Sequence, residues 1–161
     1  MTDRAAWIAK LRALPGQLRT LTEGLSAEQL TAHYMSGEWS VAQNVHHLAD
    51  AHINAYVRSK LIVAEDRPAL KVWDQEAWAE HADSAAADVE LSLQLISGLH
   101  QRWAIFWESL SDADLARVGI HPVNGEMTAE RILSFYSGHG EAHLDQIQRT
   151  LAAGGIERKV I

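Results

Sequence analysis

From Ser40 to about Ala64 the sequence keeps a helical period without a single glycine or proline. Val41, Val45, Leu48, Ala49, His52, Tyr56, Leu61 and Ile62 recur at the spacing that lines one face of an α-helix. Ser40 offers an N-cap at the start, and Pro68 forbids a continuation beyond the end. An amphipathic helix of that length must bury its apolar face, and three further segments carry the same pattern. The first has Trp7, Ile8, Leu11, Leu14, Leu18 and Leu21, with Thr2 or Asp3 as cap and Gly24 at its close. Pro15 lies inside it and is expected to kink the helix or divide it in two. The next begins at Ser84 or Asp88 and carries Val89, Leu91, Leu93, Leu95, Ile96, Leu99, Trp103, Ile105, Phe106, Trp107 and Leu110. The last is capped by Thr128, carries Ile132, Leu133, Tyr136, His139, His143, Ile147 and Leu151, and stops at Gly154-Gly155.

Short helices are expected between them, opened by Ser26 (with Gln29 completing a capping box), Asp74 and Ser111. Thr31 to Glu38 and Glu65 to Trp73 read as loops. Val118 to Met127 holds Pro122 and Asn124-Gly125, turn signals fit for a small hairpin. The pattern predicts an all-α fold, an antiparallel four-helix bundle with long connections, as one domain over 1–161.

Composition narrows the chemistry. The chain has no cysteine, so disulfides, thiolate metal sites and a cysteine nucleophile are excluded. Its nine histidines and the carboxylates are the remaining metal ligands. A net charge of −7 without a Lys/Arg cluster argues against nucleic acid or an anionic membrane as partner. No apolar run approaches the roughly 20 residues of a membrane span. The N-terminus lacks the layout of a signal peptide, and a cytoplasmic protein is expected.

His139 and His143 are four apart in the last helical segment, so both rings share one face and can each give a nitrogen to one metal ion. Ile132, Phe135 and Ile147 on that stripe are expected to turn it inward, where a bare imidazole needs a partner. A third ligand must come from another helix, and Trp39 to Asp50 supplies His46 and His47. These two differ by about 100° around the helix axis and cannot easily share a site. His33, His52, His81, His100 and His121 belong to no comparable constellation and are expected to be structural or exposed; His52, five residues from His47, lies off its stripe.

Nearly the whole chain resembles the DinB-like family of four-helix metalloproteins, in its YfiT-like branch, which includes bacillithiol S-transferases. The resemblance runs through Leu14-Pro15, Gly24-Leu25-Ser26, Trp39-Ser40-Val41 and Val45-His46-His47-Leu48-Ala49-Asp50-Ala51-His52. It continues through Asn54, Arg58, Lys60-Leu61, Ala77-Trp78-Ala79-Glu80 and His121-Pro122, and ends on Tyr136, His139-Gly140 and His143. It implies a divalent metal held by His47, His139 and His143. Ala142 and Gln146 stand where relatives often carry further histidines, so a catalytic role for those positions is not carried over. The resemblance also implies a homodimer.

Three neutral imidazoles leave a divalent ion its full charge and an open position, the pattern of catalytic zinc; nickel and manganese are the alternatives. Such an ion activates water for hydrolysis, or a thiol for attack on an electrophile. The resemblance puts thiol transfer ahead, and because the chain has no thiol of its own, the thiol must arrive as a cosubstrate of the bacillithiol type. Arg58 is a candidate anchor for that small molecule, Asn44 for orienting a ligand or water, Trp78 (with Trp73) for roofing the site, and Tyr136 for a hydrogen bond. Asp50 and Glu141 are the candidate general bases. The alternative is a non-catalytic metal-binding bundle with a structural or sensing role.

Overall fold

A computed structural model describes residues 3–160. Seven helices and one hairpin follow in order: α1 (Arg4–Thr22), α2 (Ala27–Thr31), α3 (Val41–Ala64), α4 (Gln75–Ala79), α5 (Glu90–Ser109), α6 (Asp112–Leu115), β1 (Val118–His121), β2 (Gly125–Thr128) and α7 (Ala129–Ala153). Local chemistry sets most boundaries. Ser26 with Gln29 and Ser40 with Gln43 close reciprocal capping boxes, and Ser111, Asp74 and Thr128 each accept a backbone N–H of the helix they open. Thr2 lies outside the described residues. Asp3 occupies the N-cap position of α1 but makes no side-chain capping bond. α5 starts at Glu90, with Asp88 Oδ1 accepting from its N–H.

The four long helices form the bundle, with α1 and α3 on one diagonal and α5 and α7 on the other. Side-chain pairings give the directions. Arg19 with Glu90 and Arg4 with the Trp107 carbonyl make α1 and α5 antiparallel, as Asn44 with His143 and Arg58 with Tyr136 make α3 and α7. Lys10 with Glu141 and Arg158 with the Glu23 carbonyl show α1 and α7 running in parallel. His46 with Ser92 and Ser59 with Trp103 show the same for α3 and α5. A parallel α3–α5 pair needs a long crossover, and residues 65–89 supply it.

The expected hairpin is present, with His121 opposite Gly125 and the latter at φ 67°, a conformation suited to glycine. The 65–73 stretch is tied to it: Leu70 N donates to Ile120 O and Ile120 N to Pro68 O. Helix α1 runs through Pro15 without interruption, so of the two expected outcomes, a kink or a division in two, the division does not occur.

The bundle has two apolar halves. Leu14, Leu18, Val45, Leu48, Ile96, Leu144 and Ile147 fill one; Leu11, Ala55, Ile62, Trp103, Trp107, Ile132 and Tyr136 fill the other. Each fully buried leucine or isoleucine there contributes about 1.5–3 kcal/mol relative to exposure. At the Gly140 step a Cβ would lie 2.8 Å from Leu14 Cδ2, so glycine lets α1 and α7 approach closely beside His139. Some apolar residues face outward instead. Leu91, Leu95 and Ile105 on α5 are exposed, and so is Phe135, expected inside, at 57%. The 3.6 period leaves room for apolar residues at the edges of a buried stripe, and those positions carry them.

Candidate metal centre

A layer of histidines separates the two apolar halves. His47 and His52 come from α3, His100 from α5, and His139 and His143 from α7. Nitrogens of His47, His139 and His143 lie within 4.8 Å of one another. His139 Nε2 is 3.4 Å from His47 Nε2 and 3.2 Å from His143 Nε2.

The neighbours decide where the protons sit. Asn44 is fully buried, and its Nδ2 donates to the Ser40 carbonyl at 3.0 Å, which fixes Oδ1 toward His143. Oδ1 is 2.8 Å from His143 Nδ1, so Nδ1 carries the proton and His143 Nε2 is a bare lone pair. A longer chain acts on His139. The carbonyl of Leu11 accepts from His100 Nδ1 at 2.6 Å, leaving His100 Nε2 bare. His52 Nδ1, 2.8 Å away, must therefore be the donor to it, which leaves His52 Nε2 bare. His139 Nδ1, at 3.2 Å, then donates to His52, and His139 Nε2 is bare as well.

Pro15 is the origin of this chain. In a helix the Leu11 carbonyl would accept from the N–H four residues on, and a proline has none. The carbonyl is thus left free inside the bundle, and the His100 ring takes it.

Two bare lone pairs 3.2 Å apart repel unless a cation lies between them. Two Zn–N bonds of about 2.0–2.1 Å at a tetrahedral angle set their nitrogens about 3.3 Å apart, and the observed separations match. His47 Nδ1 is buried without a hydrogen-bond partner in the structure. The donor set therefore fits a divalent ion with nitrogen ligands. Burial holds all three rings neutral, the form a metal needs: His47 and His139 are pushed down to about 3, with neighbouring imidazoles adding to the effect, and His143 to about 4. His52, fully buried, is also pushed well below its ordinary value, first by burial, and His100 to about 4.

His46 lies elsewhere. It is bonded to Ser92 Oγ at 2.7 Å and the Ala86 carbonyl at 2.9 Å, against the α5 side of the bundle. The expectation that His52 and His100 stand apart from the constellation is corrected here, since both connect to His139. No spacing rule along the sequence joins these two rings, which stand 48 residues apart on different helices.

Aromatic rings enclose the centre. Trp39 sits 4.6 Å from His47 and 6.2 Å from His143 between ring centroids, and Trp73 stacks on His47 at 5.7 Å. Trp39, read from sequence as the helix entry, is thus a wall of the site. Trp78 packs on Trp73 at 4.7 Å, one layer further out. Arg58 donates to Tyr136 Oη at 3.3 Å and to the Lys71 carbonyl. Glu141 is exposed and paired with Lys10 at 2.9 Å, and Asp50, its pKa raised chiefly by burial, feels His46 and Asp83. Neither candidate base meets the three histidines.

Two openings reach the site. A cavity of about 420 Å³ is lined by His47, His139, Arg58, Trp73 and Tyr136, among others. A smaller cleft of about 220 Å³ reaches His143 and carries Glu38 and Glu76. No helix among the described residues is long and apolar enough to cross a membrane.

The sequence profile of the DinB superfamily matches residues 10–147. A Geobacillus kaustophilus protein is 45% identical over 143 residues, covering 88% of this chain and 80% of its own, and carries a provisional name as a metal-dependent hydrolase. YfiT of Bacillus subtilis, provisionally named in the same way, is 39% identical over 142 residues, covering 88% and 80%. The solved YfiT structure, described as an unusual four-helix bundle, superposes with a TM-score of 0.92 at 35% identity over 98% of this chain and 91% of that one. A mycothiol-dependent maleylpyruvate isomerase shares the fold at a TM-score of 0.68 and 15% identity, over 95% of this chain and 69% of that one.

Proposed function

The chain belongs to the DinB superfamily, and on that premise we propose that it is a metal-dependent enzyme whose ion is held by His47, His139 and His143. One observation carries this reading: the bare Nε2 atoms of His139 and His143 converge at 3.2 Å beside an open cavity. The provisional names of the relatives agree with it. When bound, such an ion supplies Lewis acidity and lowers the pKa of a coordinated water or thiol.

The residues of the chain do the rest. Asn44 fixes the His143 ring, and His52 and His100 fix His139. Trp39 and Trp73 restrict water around His47. The nucleophile favoured here is a small thiol of the bacillithiol type, attacking an electrophile. No Asp or Glu lines the larger cavity, so nothing there takes a proton from water; a thiol ionises far more readily, and its proton leaves to solvent. Zinc is the first candidate ion, then nickel or manganese.

Hydrolysis has separate support in the cleft at His143, where Glu38 and Glu76 are the carboxylates available to take a proton from water. The two readings part in one experiment. Protein loaded with zinc, nickel or manganese is assayed against thiol–electrophile pairs (bacillithiol, glutathione, cysteine) and against ester and amide substrates. Thiol-dependent turnover lost with chelator and in His139→Ala supports transfer, and turnover without thiol supports hydrolysis. Stoichiometric metal with neither activity would leave a structural or sensing site.

A further inference from the structure

The cavity over His47 and His139 is cationic in a chain that is acidic. Asp and Glu number 21 against 14 Lys and Arg, yet none of the fourteen residues lining this cavity is acidic and two are arginines, Arg58 and Arg131. Elsewhere five cations, Lys10, Arg12, Arg19, Arg67 and Arg149, each pair with a carboxylate. Arg58 and Arg131 form no ion pair among the described residues. The half-buried Arg58 donates to neutral oxygens, the Lys71 carbonyl and Tyr136 Oη, which hold its guanidinium in place without cancelling its charge. His121 adds a donor. Its Nδ1 accepts from the N–H groups of Val123 at 3.2 Å and Asn124 at 3.1 Å, so its proton is on Nε2.

Apolar walls complete the cavity. Trp73, Met127, Ile132 and the exposed ring of Phe135 line it, and about 420 Å³ suits a small molecule. Positive charge against low-dielectric walls focuses the potential on an anion entering there. The planar forks of two arginines, with no lysine among the lining residues, suit the two oxygens of a carboxylate.

Resting on the reading that the three histidines hold the metal, we propose that this cavity is a subsite for a carboxylate-bearing small molecule. Arg58 and Arg131 take the carboxylate, and Trp73, Ile132 and Phe135 hold the apolar body next to His47 and His139.

The test is calorimetric titration of the full-length protein, metal-free and zinc-loaded, with phenylacetate, its neutral analogue phenylacetamide, and phenylphosphonate. Phenylacetate should bind at least about tenfold tighter than the amide in both states. Arg131→Gln and Arg58→Lys should each weaken the carboxylate about fivefold or more and leave the amide unchanged. Arg12→Gln, which removes an exposed pair with Glu108, should alter neither. Equal affinity for acid and amide, or no response to Arg131→Gln, overturns the subsite. Markedly tighter phenylphosphonate overturns the carboxylate assignment in favour of a phosphate-bearing ligand. A preference confined to zinc-loaded protein and indifferent to both arginines puts the anion on the ion, overturning the subsite while the metal reading stands. A preference intact in protein that takes up no zinc has the opposite meaning: the subsite stands and the metal reading fails.

Discussion

Two groups of histidines meet at mid-height of this bundle, and the partners of their ring nitrogens tell them apart. His52 and His100 are enclosed, and each of their ring nitrogens has a partner, ending on the Leu11 carbonyl. His47 is buried and His139 and His143 are half-buried; two of their Nε2 atoms face each other without a proton and His47 Nδ1 has no partner. The first group is complete within the protein; the second leaves bare nitrogens that the proposed metal would take up. What distinguishes a structural histidine from a proposed metal ligand here is the accounting of protons, which for His139 starts from one missing N–H at Pro15 and for His143 from Asn44.

The largest effect is expected on the converging trio. His47→Ala should weaken zinc binding on the order of a thousandfold, one ligand's share of a nitrogen-bound site, while the metal-free protein keeps its helicity. Competition titration with a chromophoric chelator and far-UV circular dichroism would check this. If zinc affinity survives the substitution, the distinction between the groups disappears.

His52→Ala comes next. It should lower zinc affinity about 10–100-fold through loss of the group orienting His139, and destabilise the fold by about 1–3 kcal/mol because His100 and His139 lose their partners. Chemical denaturation alongside the zinc titration separates it from His47→Ala, where stability should change much less.

Both groups predict acid sensitivity. The folded-state pKa values of about 3 for His47 and His139 and about 4 for His100 and His143 lie below the unfolded value of about 6.5. Between those limits the unfolded chain binds more protons, so stability is complete above about pH 6.5 and falls as pH drops toward 4 and 3. Denaturant midpoints of metal-free protein from pH 8 to 4 should decline below pH 6.5. A flat profile would mean that the layer is not buried neutral.

Pro15→Ala is the smallest change. A restored N–H would compete with His100 for the Leu11 carbonyl, so zinc affinity should shift only about twofold to fivefold. The His100 ring ¹⁵N resonances should show a mixture of tautomers in place of one. A single unchanged tautomer would show that His100 is fixed by something other than the proline.

Much of the fold was legible because it is written locally. The caps at Ser26, Ser40, Asp74, Ser111 and Thr128 act within one helical turn, and the 3.6-residue period marks the buried faces of α1, α3, α5 and α7. The pair His139 and His143 was visible for the same reason, and family resemblance supplied His47. Phe135 was misread because a stripe's edge and its centre carry the same residue types. Pro15 was read only as a kink or a division of its own helix, because that effect is local, whereas the acceptor it frees is met by a ring 89 residues away.

By itself the sequence determined four long helices, the absence of any protein thiol, and an acidic chain with histidines four apart. The tertiary structure alone decided which imidazoles share a centre, where their protons lie, and that two uncompensated arginines border it. The reason is physical. A helix fixes its own caps and faces through bonds spanning three or four residues, but a tautomer or a cavity's charge depends on groups brought from other helices, and no period along one helix encodes them.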